Sequence, residues 1–570
     1  MESIIKLRSK FNKVEKGYKK LKLAILSDST SQFFVQGLKA YGIKNKLNIK
    51  ILESNFDQIK LQVLNTNSSL YKFKPDFIFL NFSTQKLLNQ FYRYEVRDKF
   101  FLHISSEIHH LIKNINSELS STIILNTFNE INDNVFGNYA SKVTSSFLYQ
   151  IRKINLDLMV LCQKNQNIFI CDLVSIQNIL GENMFDQRLY YNSKLAYSIK
   201  GISYISKNLV QIICSNIGLM KKCLILDLDN TLWGGVIGDD GINGIDLGGE
   251  GLGAIYLEIQ QWILELKNRG IILAVCSKNT KDIAKEVFDK HPNMLIKMED
   301  ISIFKVNWRD KTDNILEIKE DLNIDLNSMV FVDDSPFERG LVRRNLPSVT
   351  VAELPDDPSN YLEYLRNENY FEVSSITNSD LEKTKLYKEE SQRKKSKIKF
   401  KSNSAFLKSL KMIAKIDTIN NYNLKRVFQL IQKTNQFNTT NRRYSQNKIK
   451  EIIATKNNYS KVISLKDNYG DYGIISCIIL SKIQDNLIID TWIMSCRVFD
   501  RQIENFSFNQ IIKLAKSLKC KRIICLYKPT KKNIILIKLF KKCNFKKIKS
   551  DYSIIIEDSI PLENYIKTKN

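Results

Sequence analysis

The chain has very little histidine, four residues in 570, and none between His110 and His291. Its ten cysteines, Cys162, Cys171, Cys214, Cys223, Cys276, Cys477, Cys496, Cys520, Cys525 and Cys543, form no CxxC pair and do not cluster with the histidines. A zinc site and a disulfide framework are therefore not expected. No stretch reaches the roughly 18 consecutive apolar residues that span a bilayer. The N-terminus, MESIIKLRSKFNKVEKGYKK, alternates charge with apolar residues and lacks the uninterrupted apolar run of a signal peptide. A cytoplasmic protein with no membrane segment is expected. There is also no internal repeat.

What is abundant is apolar residue and lysine. At 43% hydrophobic, 570 residues are enough for three or four cores of ordinary size. The formal charge of +26 raises the question of nucleic acid. Lysine, isoleucine and asparagine are spread along the whole chain, however, so the charge reads as a general bias with no dedicated patch. A nucleic-acid partner is not expected. The densest basic run, KEESQRKKSKIKFKS at 388–402, reads as a solvated helix face or linker.

The chain is organised by apolar runs. KLAILSDS, PDFIFLNFS, STIILNTFN and NIFICDL alternate with amphipathic stretches, the rhythm of a parallel α/β layer. A second α/β segment begins near Lys221, with strands CLILDLD, GIILAVCS and SMVFVDD and helices GAIYLEIQQWILELKNR and KTDNILEIKEDL. Beyond Pro355 and Pro358 a charged connector leads to an α+β segment with strands KVISLKD, GIISCIILSKI, LIIDTWIMS and RIICLYK. The expected division is 1–205, 206–365, a linker over 366–413, and 414–570.

Chemistry is densest where the strands of the second segment end. The first runs into Asp227-Leu228-Asp229-Asn230-Thr231, two carboxylates two residues apart and facing the same way. One can attack a phosphorus while the other manages the proton. Two ionised carboxylates beside a phosphate need a compensating cation, and Mg²⁺ suits an all-oxygen site. Asp333-Asp334 follows another apolar run and can complete that site. Ser277, with Thr231, can hold phosphate oxygens, and Lys311 can neutralise developing charge. Any one acidic residue after a strand can be a simple helix cap. Four strand ends or loops with complementary chemistry in one order are a pattern.

The order DLDNT, CSKN, Lys311 and VFVDD resembles the four motifs of the haloacid dehalogenase (HAD) superfamily. More narrowly, LDLDNTLWGGVIGDDG, ILAVCSKN, HPNM, NWRDKTDNI and FVDDSPFER resemble its FkbH-like branch. The resemblance implies a phosphorylated Asp227 and Asp229 as general acid/base and a Mg²⁺ ligand through its backbone carbonyl. It implies Asp333 as a further ligand with Asp334 nearby, and Ser277 and Lys311 on phosphate. It also implies dephosphorylation of an acyl phosphate resembling 1,3-bisphosphoglycerate and transfer of the glyceryl unit to an acyl carrier protein. Cys276 is the candidate by position for a thiol holding the acyl group, although strand alternation points it away from Ser277. A plain HAD-type small-molecule phosphatase, and a carrier-binding scaffold or acyltransferase, are the alternatives.

The flanking segments carry resemblances of their own. KLAILSDST, LNFS and LNTFNEINDNVFGNYAS resemble an SGNH-hydrolase-like domain with Ser29 at the nucleophile position. With no histidine between His110 and His291 to serve as base late in this domain, a binding or positioning role is expected, and His103, His109 and His110 read as one polar helix face. TNQFNTTNRRYS, DTWIMSCRV and LYKPTKKNIILIKLFKKCNF resemble a GNAT acyltransferase fold. Its strand-to-helix turn, Arg497-Val498-Phe499-Asp500-Arg501-Gln502, lacks glycine and carries an acid where a pyrophosphate would approach. Arg497 and Arg501 are the candidates for contacting coenzyme A or a carrier's phosphopantetheine arm. The fold class expected is multidomain α/β: an SGNH-like α/β layer, a HAD-type Rossmannoid parallel sheet and an α+β GNAT-like domain.

Overall fold

A computed structural model describes residues 4–376, 393, 400, 402–434, 436–530 and 532–569. Most of the basic run at 388–402 lies outside the described residues. The chain divides into two compact units, Met1–Asn216 with Ser445–Ile449, and Ile217–Tyr444 with Lys450–Asn570.

The first unit is built on five parallel strands, β1 (Lys19–Ser27), β2 (Leu47–Glu53), β3 (Phe77–Asn81), β4 (Thr122–Asn126) and β5 (Ile168–Cys171), in the order β2-β1-β3-β4-β5. Strands buried on both faces read as continuous apolar runs, as IFL in β3 and IIL in β4 do. The helix Phe100–Glu118 packs Ile104, Ile108, Leu111 and Ile115 against this core. It carries His103, His109 and His110 on its exposed face, His109 pairing with Asp157 at 2.9 Å. The helix Ile199–Asn216 runs across position 205 and belongs whole to this unit.

The second unit opens with another all-parallel sheet, β6 (Cys223–Leu226), β7 (Ile272–Ser277), β8 (Ile301–Val306), β9 (Met329–Val332) and β10 (Thr350–Val351), ordered β10-β9-β6-β7-β8. Alternation sorts its side chains. Leu224, Leu226, Val275 and Val332 join one core with the helix Leu252–Asn268, and Cys223, Ile225, Ala274 and Phe331 join another with the helix Lys311–Leu322. Each fully buried aliphatic side chain here contributes about 1.5–3 kcal/mol. The chain leaves β6 toward β7 and β8, then returns to β9 and β10 on the other side. The carboxyl ends around β6 are thus the topological switch point, where open sheets of this kind bind ligands.

The same unit continues into eight mixed strands: β11 (Ile413–Asp417), β12 (Asn458–Lys466), β13 (Asp471–Ile483), β14 (Asn486–Met494), β15 (Arg522–Cys525), β16 (Lys546–Ile548), β17 (Asp551–Ile555) and β18 (Lys567–Lys569). They order as β16-β17-β15-β14-β13-β12-β11-β18, with β14 and β15 parallel. The helix Ile503–Ser517 and the buried Trp492 close its core. Among the described residues no helix is long and apolar enough to cross a membrane.

Candidate active site

Asp227 is the first residue past β6, and its amide donates to Val332 O at 3.0 Å, which locks the ends of β6 and β9 together. Asp333 and Asp334 follow β9 directly. One oxygen from each of Asp227, Asp333 and Asp334 lies within 4.8 Å of the others. Asp333 is held by the turn after it: its Oδ1 accepts from Ser335 N at 2.9 Å, and Ser335 with Pro336 opens the helix Pro336–Asn345 as N-cap and first-turn proline. Arg339, one turn into that helix, donates Nη1 to the carbonyls of Asp333 at 2.9 Å and Asp334 at 2.6 Å.

Lys311 bridges the carboxylates, its Nζ standing 2.7 Å from Asp227 Oδ2 and 2.6 Å from Asp333 Oδ2. It starts the helix after β8, at the far edge of the sheet, and the loop between carries it back. That loop is fixed by a reciprocal amide pair, Asn307 with Asn314, at 3.1 and 3.0 Å. Burial alone would lower the Lys311 ammonium, but the charges of Asp227 and Asp333 outweigh it and hold the lysine above its ordinary range. Burial raises Asp333 to about 7, with the neighbouring Asp227 adding to the effect. Burial and Asp227 likewise raise Asp334. One ammonium among three carboxyls, two of them buried and the third half-buried, leaves negative charge in excess. The other Asp227 oxygen, Oδ1, is buried with no hydrogen-bond partner. An orphaned carboxylate oxygen in an all-oxygen cluster with excess negative charge fits a hard divalent cation.

Asp229 is held apart from this cluster. Its Oδ1 accepts from Trp233 Nε1 at 2.9 Å and Ile237 N at 3.1 Å, and its Oδ2 from Asn279 Nδ2 at 2.9 Å. Burial raises its pKa above the usual carboxylate range, against the pull of the Ile237 amide and the Trp233 indole. A fixed carboxyl that protonates readily is suited to giving and taking a proton.

The remaining candidates are placed less uniformly. Ser277 ends β7, is buried, and its carbonyl accepts from Asn307 N at 3.2 Å. Thr231 is buried, its Oγ1 has no partner, and it borders a small apolar cavity with Leu226 and Val332. Cys276 lies under the site, its Sγ donating to Lys311 O at 3.7 Å. It is 0% exposed, packed with Ile225 and Phe331, and burial pushes the thiol far above its ordinary range. A thiol held neutral in this way is a poor nucleophile.

In the terminal sheet Arg501 is buried, donating to Asp467 Oδ2 at 3.1 Å and to Arg497 O at 2.8 Å, with its guanidinium over the Tyr472 ring. It is part of a core ion pair with no exposed surface to offer a ligand. Arg497 lines a cleft of about 100 Å³ with Lys222, Arg426 and Lys433. The turn it belongs to contains no glycine, yet Asp500 and Gln502 adopt positive φ, +61° and +60°. In the first unit Ser29 is buried, with Oγ 3.2 Å from both Ser27 Oγ and Asn81 Nδ2.

Trp233, Asn279, Asn307, Asn314 and Arg339 escape a reading of the sequence for reactive groups. Each acts through a partner, and only the quoted runs DLDNTLWGG, CSKN, NWRDKTDN and FVDDSPFER place them near the site at all.

Residues 22–214 match the family described as FkbH, N-terminal domain. The N-terminal part of protein BF1531 from Bacteroides fragilis, a crystal structure described as containing a phosphatase domain complexed with Mg, is 41% identical. That likeness covers 66% of this chain and all of that one, with a TM-score of 0.63. The chain belongs to the FkbH-like family of HAD proteins. Shorter likenesses include a domain from Methanocaldococcus jannaschii, at 19% identity over 25% of this chain and 97% of that one. Another is the Escherichia coli ribosomal-protein-S18-alanine N-acetyltransferase, at 11% identity over 26% of this chain and 97% of that one. Both have a TM-score of 0.21. No curated protein matches the chain.

Proposed function

We propose that this FkbH-like protein is a magnesium-dependent phosphoryl-handling enzyme that serves acyl transfer to a carrier protein. The observation that carries the reading is the Asp227–Asp333–Asp334 cluster, bridged by Lys311 and open at Asp227 Oδ1. Asp227, Asp333 and the Asp229 backbone would hold Mg²⁺, with Asp334 beside them, and the ion would supply the positive charge that lets a carboxylate and a phosphate approach. Asp227 Oδ1 attacks phosphorus, the P–O bond to the substrate breaks, and Asp229 gives the departing oxygen its proton. Asp229 then takes a proton from water as the aspartyl phosphate is hydrolysed. Ser277, Thr231 and Lys311 are assigned to the phosphate oxygens.

A substrate resembling 1,3-bisphosphoglycerate offers two distinct bonds. A thiol attacking the mixed-anhydride carbonyl breaks the C–O bond and releases phosphate, leaving a thioester. The phosphomonoester at the other end is the bond suited to Asp227, because attack there leaves the acyl group intact. Attack by Asp227 on the anhydride phosphorus would instead yield a free carboxylate with no energy for transfer. The acceptor thiol in this reading is the carrier's own, since Cys276 is sealed beneath Lys311. Two features favour a tethered substrate. Only a four-residue helix, Ile237–Asp240, lies between Thr231 and the helix at Leu252, which leaves no room for a cap domain. Trp308 and Phe337, three residues from Lys311 and Asp334, are 73% and 68% exposed. The division of labour follows: a non-catalytic first domain, this catalytic domain, and a terminal domain that docks the carrier.

The test is intact mass spectrometry after incubating the protein with Mg²⁺, fresh 1,3-bisphosphoglycerate and a holo acyl carrier protein. A glyceryl adduct on the carrier supports the reading. Phosphate release with no adduct on either protein reduces it to a small-molecule phosphatase, and an adduct on the enzyme reopens the question of its thiols.

A further inference from the structure

The first unit holds a cavity of about 240 Å³ that takes no part in the phosphoryl chemistry. Asp28 follows β1, Phe82 and Ser83 follow β3, Phe128 lies just past β4, and all four line it. The chain runs from β1 to β2 on one side and returns to β3 on the other, so the cavity sits at the switch point of this sheet.

Half of its lining is apolar, with Ile59, Leu87, Ile108 and Leu111 beside Phe82 and Phe128, and the other half is polar or charged. The lysines at the cavity are already engaged, Lys86 with Asp57 and Lys60 with Glu107, the latter at 2.8 Å. Asp28 is different. Only 8% exposed, it has no ion-pair partner among the described residues, and both its oxygens accept from the single amide of Ser83, at 2.9 and 3.1 Å. Burial pushes it up to about 7.

A buried carboxyl at a cavity of this size, with open lone pairs and no direct ion pair, the nearby Lys86 charge being shared with Asp57, is a specific request for a donor. An alcohol brings one donor and no charge. A primary ammonium brings three donors and a directly paired charge. Anions meet Asp28 with no free cation to answer them.

We propose that this cavity is a binding site for a small amphiphilic primary amine, its apolar body against Phe82, Phe128 and Ile108 and its ammonium on Asp28. The site is separate from Ser29, which does not line the cavity, and it does not depend on the activity proposed for the second unit.

The test uses the full chain with 2-phenylethylamine as probe, followed by calorimetry and saturation-transfer NMR. The amine should bind saturably at one site, 2-phenylethanol at least about tenfold more weakly, and 3-phenylpropionate not at all. Asp28→Asn, which keeps the shape and the Ser83 hydrogen bond, should weaken the amine by at least about tenfold. Ile108→Trp, which fills the cavity, should abolish binding while circular dichroism shows the fold retained. The proposal is overturned if the amine does not bind, if Asp28→Asn binds it equally well, or if the carboxylate probe competes.

Discussion

Lys311 stands between two carboxylates with almost no access to solvent. Removing it as Lys311→Met leaves Asp227 and Asp333 uncompensated, and breaking a buried pair from one side costs on the order of 3–5 kcal/mol. The fall in Tm by differential scanning calorimetry should be large in chelator and partly recovered in excess Mg²⁺, because a ligand that binds only the folded state stabilises it. Equal losses in both conditions would contradict a cation shared with these carboxyls. Asp28 gives a pH-dependent counterpart. Its folded pKa, about 7, lies above the ordinary carboxylate value of 3.8. The native state therefore binds more protons than the unfolded state in that window, and stability falls as pH rises through it. The loss approaches roughly 3–4 kcal/mol by neutral pH. Asp28→Asn should flatten the decline in Tm between about pH 4 and pH 7, and an unchanged slope in the variant would contradict the assignment.

At the scale of elements, the strands that end in chemistry were the ones the sequence made visible. CLILDLD, GIILAVCS and SMVFVDD are unbroken apolar runs because β6, β7 and β9 are central and covered on both faces. LNIKILE and ISIFKV form β2 and β8, the edges of their sheets, where polar and charged side chains alternate with apolar ones. Such runs were not expected as strands. The carboxylates, Ser277 and Lys311 were legible in the same way, as reactive groups at strand ends or in loops. The partners of Asp229 were not: the Trp233 indole, four residues on, reads as one more apolar side chain, and a hydrogen bond to Asn279 across 50 residues leaves no local signature. The loop before Lys311 presents Trp308 to solvent, and the first turn of the helix after Asp334 presents Phe337. If those rings guide a carrier-bound arm, the double variant Trp308→Ala, Phe337→Ala should raise KM for the loaded carrier by about tenfold, roughly 1.4 kcal/mol. Hydrolysis of a small phosphomonoester should keep its kcat, and equal effects on both substrates would place the rings in the catalytic machinery instead.

For the whole molecule, membership in the FkbH-like family fixes the context of the site, while the substrate and the acceptor follow from chemistry that is proposed. Asp227 is the group that attacks phosphorus in the proposed reaction. The most direct measurement is Mg²⁺-dependent release of phosphate from a small phosphomonoester by the full chain and by Asp227→Asn. Turnover by the native protein should disappear in chelator and be at least about a thousandfold lower in the variant, a barrier increase of roughly 4 kcal/mol. Turnover in Asp227→Asn close to that of the native protein would contradict that role.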